Sequence, residues 1–159
     1  MSDLYQTSAD IRSDVQSLAR IERPSAALTL TRSASLAITT AGTLITWQTE
    51  VRNQGFTWST TDITIPTAGY YAIQTFFQTS ANVTLFTQRV VNTVNLGYFG
   101  YSSTVINYHP ATMVRYFATG DTLQIRVVPS SNVNITVVAE NSNNESPLLH
   151  ITQLTGVVS

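Results

Sequence analysis

His109 and His150 are the two histidines of this 159-residue chain, and cysteine is absent. A protein-bound zinc or similar metal needs three or four converging ligands, which two distant imidazoles do not supply. The carboxylates are equally scattered. Asp62 and Asp121 fall in turn-like segments, Glu50 in a strand-like one, and Glu140 and Glu145 in the polar run ENSNNE. No two stand at a spacing that implies acid–base work, and Asp121 reads as a residue that hydrogen-bonds its own turn. Neither a nucleophile elbow nor a phosphate-cradling glycine loop occurs. The chain therefore reads as a non-enzyme with no cofactor and no metal. The stretch NLGYFGYSSTVINYHPA over 95–111 stands out instead, with Tyr98, Phe99, Tyr101 and Tyr108 set among Gly, Ser and Asn. Read as a loop, it is a candidate receptor-binding surface, because rigid aromatics beside adaptable polar groups suit recognition and can stack on sugar rings. The other reading buries these rings in a core or between subunits, as aromatics usually are. Trp47 and Trp58 read as core or interface residues.

The elements that would position these residues follow from composition and period. Charged residues are only 11% of the chain against a usual value of about 25%, and hydrophobic residues are 43%. Net charge is −1, so no basic field exists to neutralise phosphates, and nucleic-acid binding is not expected. Polybasic membrane patches and bilayer-length apolar runs are also missing from the sequence. The start MSDLYQTSAD lacks the pattern of a signal peptide. Stability must come from packing, within the chain or between subunits.

Residues 3–22 read as a helix. Leu4, Ile11, Val15, Leu18 and Ile21 form one narrow apolar stripe, and Pro24 would stop it. A helix this short is marginal alone, so 1–24 reads as an anchor or trimerisation segment. Residues 25–35, rich in small polar side chains, read as a linker with some strand character.

From Leu36 onward the period becomes two. About ten strand-like runs follow: 36–40, 44–51, 55–59, 62–66, 70–80, 83–94, 112–119, 122–130, 134–140 and 148–155. No helical pattern interrupts them, so residues 36–159 read as an all-β antiparallel sandwich. In the run at 70–80, Tyr71, Ile73, Thr75 and Phe77 share one face, and Tyr70, Ala72 and Phe76 the other. A lone sandwich strand normally has one polar face. Apolar residues on both imply that one packs the core and the other meets a neighbouring subunit.

Three ordered motifs carry a family resemblance. ITIPTAGYYAI over 63–73 resembles the strand, Pro-x-x-Gly turn and Tyr-led strand of complement C1q-like and tumour-necrosis-factor-like domains. FATGDTLQIRV over 117–127 is similar to that family's Gly-Asp strand. SPLLHITQL over 146–154 looks like its final strand, which runs down the trimer axis. WQTEVRNQGF over 47–56 sits where the family carries a strand and an aromatic-led turn. The leader IRSDVQSLARIERP over 11–24 is similar to coiled-coil leaders of minor tail and fibre proteins of tailed bacteriophages. The resemblance implies a jelly-roll homotrimer in a virion, made in a host cytoplasm and attached to other virion proteins through 1–24. It would display its jelly roll to a host-surface glycan or protein. A capsid decoration protein and a free lectin-like module are the alternatives. His109 and His150 read as solvent-facing or hydrogen-bonded side chains, although a trimer built about the last strand would bring three copies of His150 together as a pH-sensitive or metal-binding ring. ENSNNE has the oxygens for the calcium that some such trimers hold near the apex but no fixed motif, and it reads as a solvated loop.

Overall fold

The computed structural model describes residues 26–102, 105–136 and 147–154. Its strands are β1 (Ala27–Thr31), β2 (Leu36–Ile38), β3 (Thr43–Leu44), β4 (Thr49–Gln54), β5 (Thr57–Trp58), β6 (Ile63–Thr64), β7 (Gly69–Val83), β8 (Leu85–Val91), β9 (Val94–Tyr101), β10 (Ile106–Phe117), β11 (Thr122–Pro129), β12 (Val133–Ile135) and β13 (Leu148–Gln153). Among the described residues the inner sheet has seven strands, in the order β2-β12-β7-β13-β1-β4, with β10 on the other edge of β7. The outer sheet has six, in the order β5-β6-β11-β8-β9, with β3 also on β11. All pairings are antiparallel, and the chain passes repeatedly between the two sheets, giving the expected jelly-roll sandwich.

Alternation builds the core between the sheets. Along β7, Tyr71, Ile73, Thr75 and Phe77 are buried, as the period-two reading requires. Tyr71, Ile73 and Phe77 meet Leu123, Ile125 and Val127 of β11, Leu149 and Ile151 of β13, and Leu28 and Leu30 of β1 in one apolar cluster. Rings interlock at one end: Tyr71 lies edge-on to both Phe56 and Phe117, each 6.0 Å away. The Tyr71 hydroxyl escapes the apolar cluster by donating to the Thr67 carbonyl at 2.7 Å.

Three readings are corrected. The linker over 25–35 contains β1, which lies between β13 and β4. Its alternation, Leu28 and Leu30 inward with Thr29 and Thr31 outward, is complete but only five residues long. The run read as one strand over 83–94 is broken twice, at Thr84 between β7 and β8 and at a two-residue turn, Asn92–Thr93, between β8 and β9. The stretch 95–111 is not a loop: β9 and the start of β10 occupy most of it. The helix over 3–22 with its apolar stripe, and the run at 140–145, lie outside the described residues.

The Asn92–Thr93 turn shows why sequence alone missed it. Both residues have positive φ, 50° and 68°, as tight hairpins demand, but Thr is a poor choice there because its branched Cβ crowds the backbone. Asn92 compensates through its side chain, which donates to Asp121 at 2.8 Å and accepts from the Thr122 amide at 2.9 Å. Thr93→Gly is expected to stabilise the protein by about 1 kcal/mol, measured by urea denaturation.

Gly100 fixes how the sandwich closes along one side. A Cβ there would lie 2.2 Å from Ala111 Cβ and 3.2 Å from Thr87 Cβ. Only a residue without a side chain lets β9, the edge of the outer sheet, approach β10, the edge of the inner sheet.

Candidate binding surfaces

Two aromatic surfaces lie on opposite sides of the sandwich. On the outer sheet, Phe86 of β8 is paired directly with Tyr101 of β9, and Gln88 with Tyr98. Phe86 and Gln88, two positions apart, share a face, and a bulge in β9 between Gly100 and Tyr98 turns Tyr98 onto the face of Tyr101 although the two are three residues apart, so Phe86, Tyr98 and Tyr101 project together, away from the core. Phe86 stacks on Tyr101 with centroids 4.7 Å apart, and its centroid lies 4.9 Å from that of Tyr98. Tyr98 is 56% exposed and Tyr101 59%, so the rings form a platform open to solvent. Phe99 points the other way and packs against the core.

The second surface is the outward face of the inner sheet. Registers place Tyr116 opposite Tyr70, Val114 opposite Ala72, Thr112 opposite Gln74, and Pro110 opposite Phe76. The rows continue through Thr152, His150 and Leu148 of β13. Tyr108 belongs here, 5.9 Å from Phe76, and Tyr70 and Tyr116 are edge-on at 5.5 Å. Across β10, β7 and β13 none of these outward positions carries a carboxylate, lysine or arginine. The four aromatics read as one site thus divide: Tyr98 and Tyr101 on the outer platform, Tyr108 on the inner face, Phe99 against the core. Phe86, which joins the two exposed tyrosines, was missed. Its signal was the alternation Phe86, Gln88, Val90, hidden when 83–94 is taken as one continuous strand.

The titratable groups serve the fold. His109 is buried on β10 and held at both nitrogens, by Thr79 Oγ1 on Nε2 and by Ser102 Oγ on Nδ1, each at 3.1 Å. Thr79 already donates its hydroxyl proton to the Ala81 carbonyl, so Nε2 must carry the hydrogen and donate. Ser102 accepts from the Leu85 amide and donates to Nδ1. This wiring suits neutral imidazole, and burial lowers the His109 pKa to about 4. His150 lies on the outward face, its Nδ1 2.9 Å from Thr29 Oγ1 and its Nε2 2.8 Å from Thr152 Oγ1. Partial burial, and to a lesser extent Arg52, lower its pKa. Both ring nitrogens already having hydroxyl partners, the metal-binding ring is not supported by this geometry.

The three described carboxylates are likewise engaged. Glu50 accepts from Trp58 Nε1 at 2.5 Å and from Asn53 at 2.9 Å, contacts that lower its pKa. Asp62 accepts from Gln124 at 2.5 Å. Asp121 accepts from the Ala118 amide at 2.8 Å, closing its own turn as its sequence position suggested. Among the described residues no three His, Asp or Glu side chains are grouped to hold a metal. No described helix is long and apolar enough to cross a membrane.

At the level of sequence, no protein family and no characterised protein matches the chain. Solved structures do. Murine APRIL superposes with a TM-score of 0.58 at 13% identity, covering 81% of this chain and 98% of that one. The tumour-necrosis-factor protein Eiger of S. frugiperda gives 0.53 at 13% identity, covering 86% and 97%. The globular domain of zebrafish complement 1qA gives 0.51 at 13% identity, covering 81% and 95%. The fold is therefore the C1q and tumour-necrosis-factor jelly roll; at this identity the likeness speaks for the fold alone.

Proposed function

We propose that the chain is a non-catalytic binding and structural protein, a homotrimer joined through the outward face of the inner sheet and displaying the Phe86–Tyr98–Tyr101 platform. The observation that carries this reading is the pair of opposed aromatic surfaces. A broad uncharged face holding Tyr70, Phe76, Tyr108, Val114 and Tyr116 suits burial against other copies. A small solvent-facing platform on the opposite sheet suits a ligand with flat apolar faces, such as a sugar ring. The leader over 11–24 and its similarity to phage tail and fibre leaders support a place in a virion, with 1–24 attaching the trimer to tail or head proteins and the platform meeting a host-surface glycan or protein.

Tyr98→Ala or Tyr101→Ala is expected to weaken adsorption to host-surface glycan about tenfold, roughly the 1.4 kcal/mol that one aromatic contact contributes. The oligomer should persist in sedimentation. Unchanged adsorption with both variants rejects the platform as the binding site. The second reading, a capsid decoration protein, rests on the same self-associating face. It requires that deleting 1–24 release the protein from particles while adsorption stays normal.

A further inference from the structure

Five arginines lie among the described residues, and they divide sharply. Arg32 donates to the Ala34 carbonyl and to Thr46, Arg52 to Gln54, and Arg126 to the Ala41 carbonyl. Arg89 and Arg115 have no such partner among the described residues, and they lie near enough for each to feel the other's charge. Arg89 is on β8 and Arg115 on β10, both half-buried. Each belongs to the inward register of its strand: Arg89 alternates with Thr87 and Val91, and Arg115 with Met113 and Phe117. They converge from different sheets on the side of the sandwich where β9 and β10 are the edge strands.

The Arg89 Nε is buried and has no hydrogen-bond partner among the described residues. Leaving such a donor unmade is unfavourable, and placing a second guanidinium close by adds repulsion. Burial first, and then the charge of Arg115, lower the Arg89 pKa, so the two cations do sense each other. Glu50, Asp62 and Asp121 already serve Trp58, Gln124 and the Ala118 turn. Guanidinium forks match the planar or tetrahedral oxygens of carboxylates and sulfate-like anions.

We infer that Arg89 and Arg115 form a binding site for one oxyanion, of carboxylate or sulfate geometry, on the side of the sandwich bordered by β9 and β10. The anion satisfies the orphaned Nε and separates the two positive charges. It comes either from solution or from a carboxylate of a second copy. The first source makes the site independent of the self-association proposed above.

The experiment uses the full chain and the variants Arg89→Met and Arg115→Met, which keep most of the apolar stem. Melting is followed in sodium sulfate and in sodium chloride at matched ionic strength, and association by sedimentation. A free anion gives the wild type a sulfate-specific rise in Tm of about 5 °C that both variants lack. The general salting effect of sulfate acts on all three proteins alike. A carboxylate from a second copy gives no sulfate-specific rise, but both variants then dissociate at about tenfold higher concentration. The inference is overturned if the three proteins respond equally to sulfate and associate equally. Variants more stable than the wild type under every salt, with association unchanged, would also overturn it, since relief of repulsion without loss of a ligand is what an empty pair predicts.

Discussion

Val114→Glu is expected to raise the dissociation constant of the oligomer at least about 100-fold while leaving the isolated subunit folded. Val114 is 59% exposed and sits opposite Ala72 near the middle of the inner sheet's outward face. In the free subunit a glutamate there stands in water, and the change in stability should stay within about 0.5 kcal/mol. In an assembled seam it meets Tyr, Phe, Pro and Thr side chains with no cation among them. Taking an unpaired carboxylate out of water costs several kcal/mol, and each 1.4 kcal/mol is about a factor of ten in the constant. Sedimentation equilibrium measures the effect, with circular dichroism confirming that the strands remain. A wild-type chain that stays monomeric at micromolar concentration, or a Val114→Glu chain that associates normally, removes the inner face from consideration as the subunit contact.

Acid should begin to weaken the fold at a pH above the range in which its carboxylates titrate. His109 has an ordinary pKa of about 6.5 when unfolded and about 4 when folded. Between these values the unfolded chain binds a proton that the folded chain refuses. The contribution of His109 is therefore complete above pH 6.5, declines as pH falls, and is lost below about pH 4. The shift corresponds to about 3 kcal/mol, a large part of a small domain's stability. The His150 shift has the same direction and adds to the decline. Urea midpoints taken from pH 7.5 to 4 should fall steadily for the wild type. His109→Gln offers a hydrogen-bonding group that does not titrate, so its curve should be flatter over the same window. Parallel curves would show that the buried imidazole does not drive the acid response.

Much of the fold was legible because long strands announce themselves. In β7 and β11 inward and outward residues alternate over eight or more positions, and a single reading of the period sorts them. Five-residue β1 is too short for that, and its small neighbours look like a linker. In β9 the glycines at 97 and 100 resemble turn punctuation, although Gly100 is there to let two sheets approach. Tyr98 and Tyr101 were visible as unusual residues, but their grouping with Phe86 depends on the hairpin register. Tyr108 was drawn into the same group by proximity in sequence and belongs to the other sheet. The arginine pair was the least legible feature of all. It joins positions 26 residues apart that lie on strands of different sheets, and local pattern carries no trace of such a pairing.

The placement of the platform opposite the inner face changes what a weak contact can accomplish. If copies meet through their inner faces, every platform is turned outward to the rim. Three modest grips on one particle then act in concert: once the first engages, the others find their targets at high effective concentration. Grip on a crowded surface would be firm while each single contact stays readily reversible.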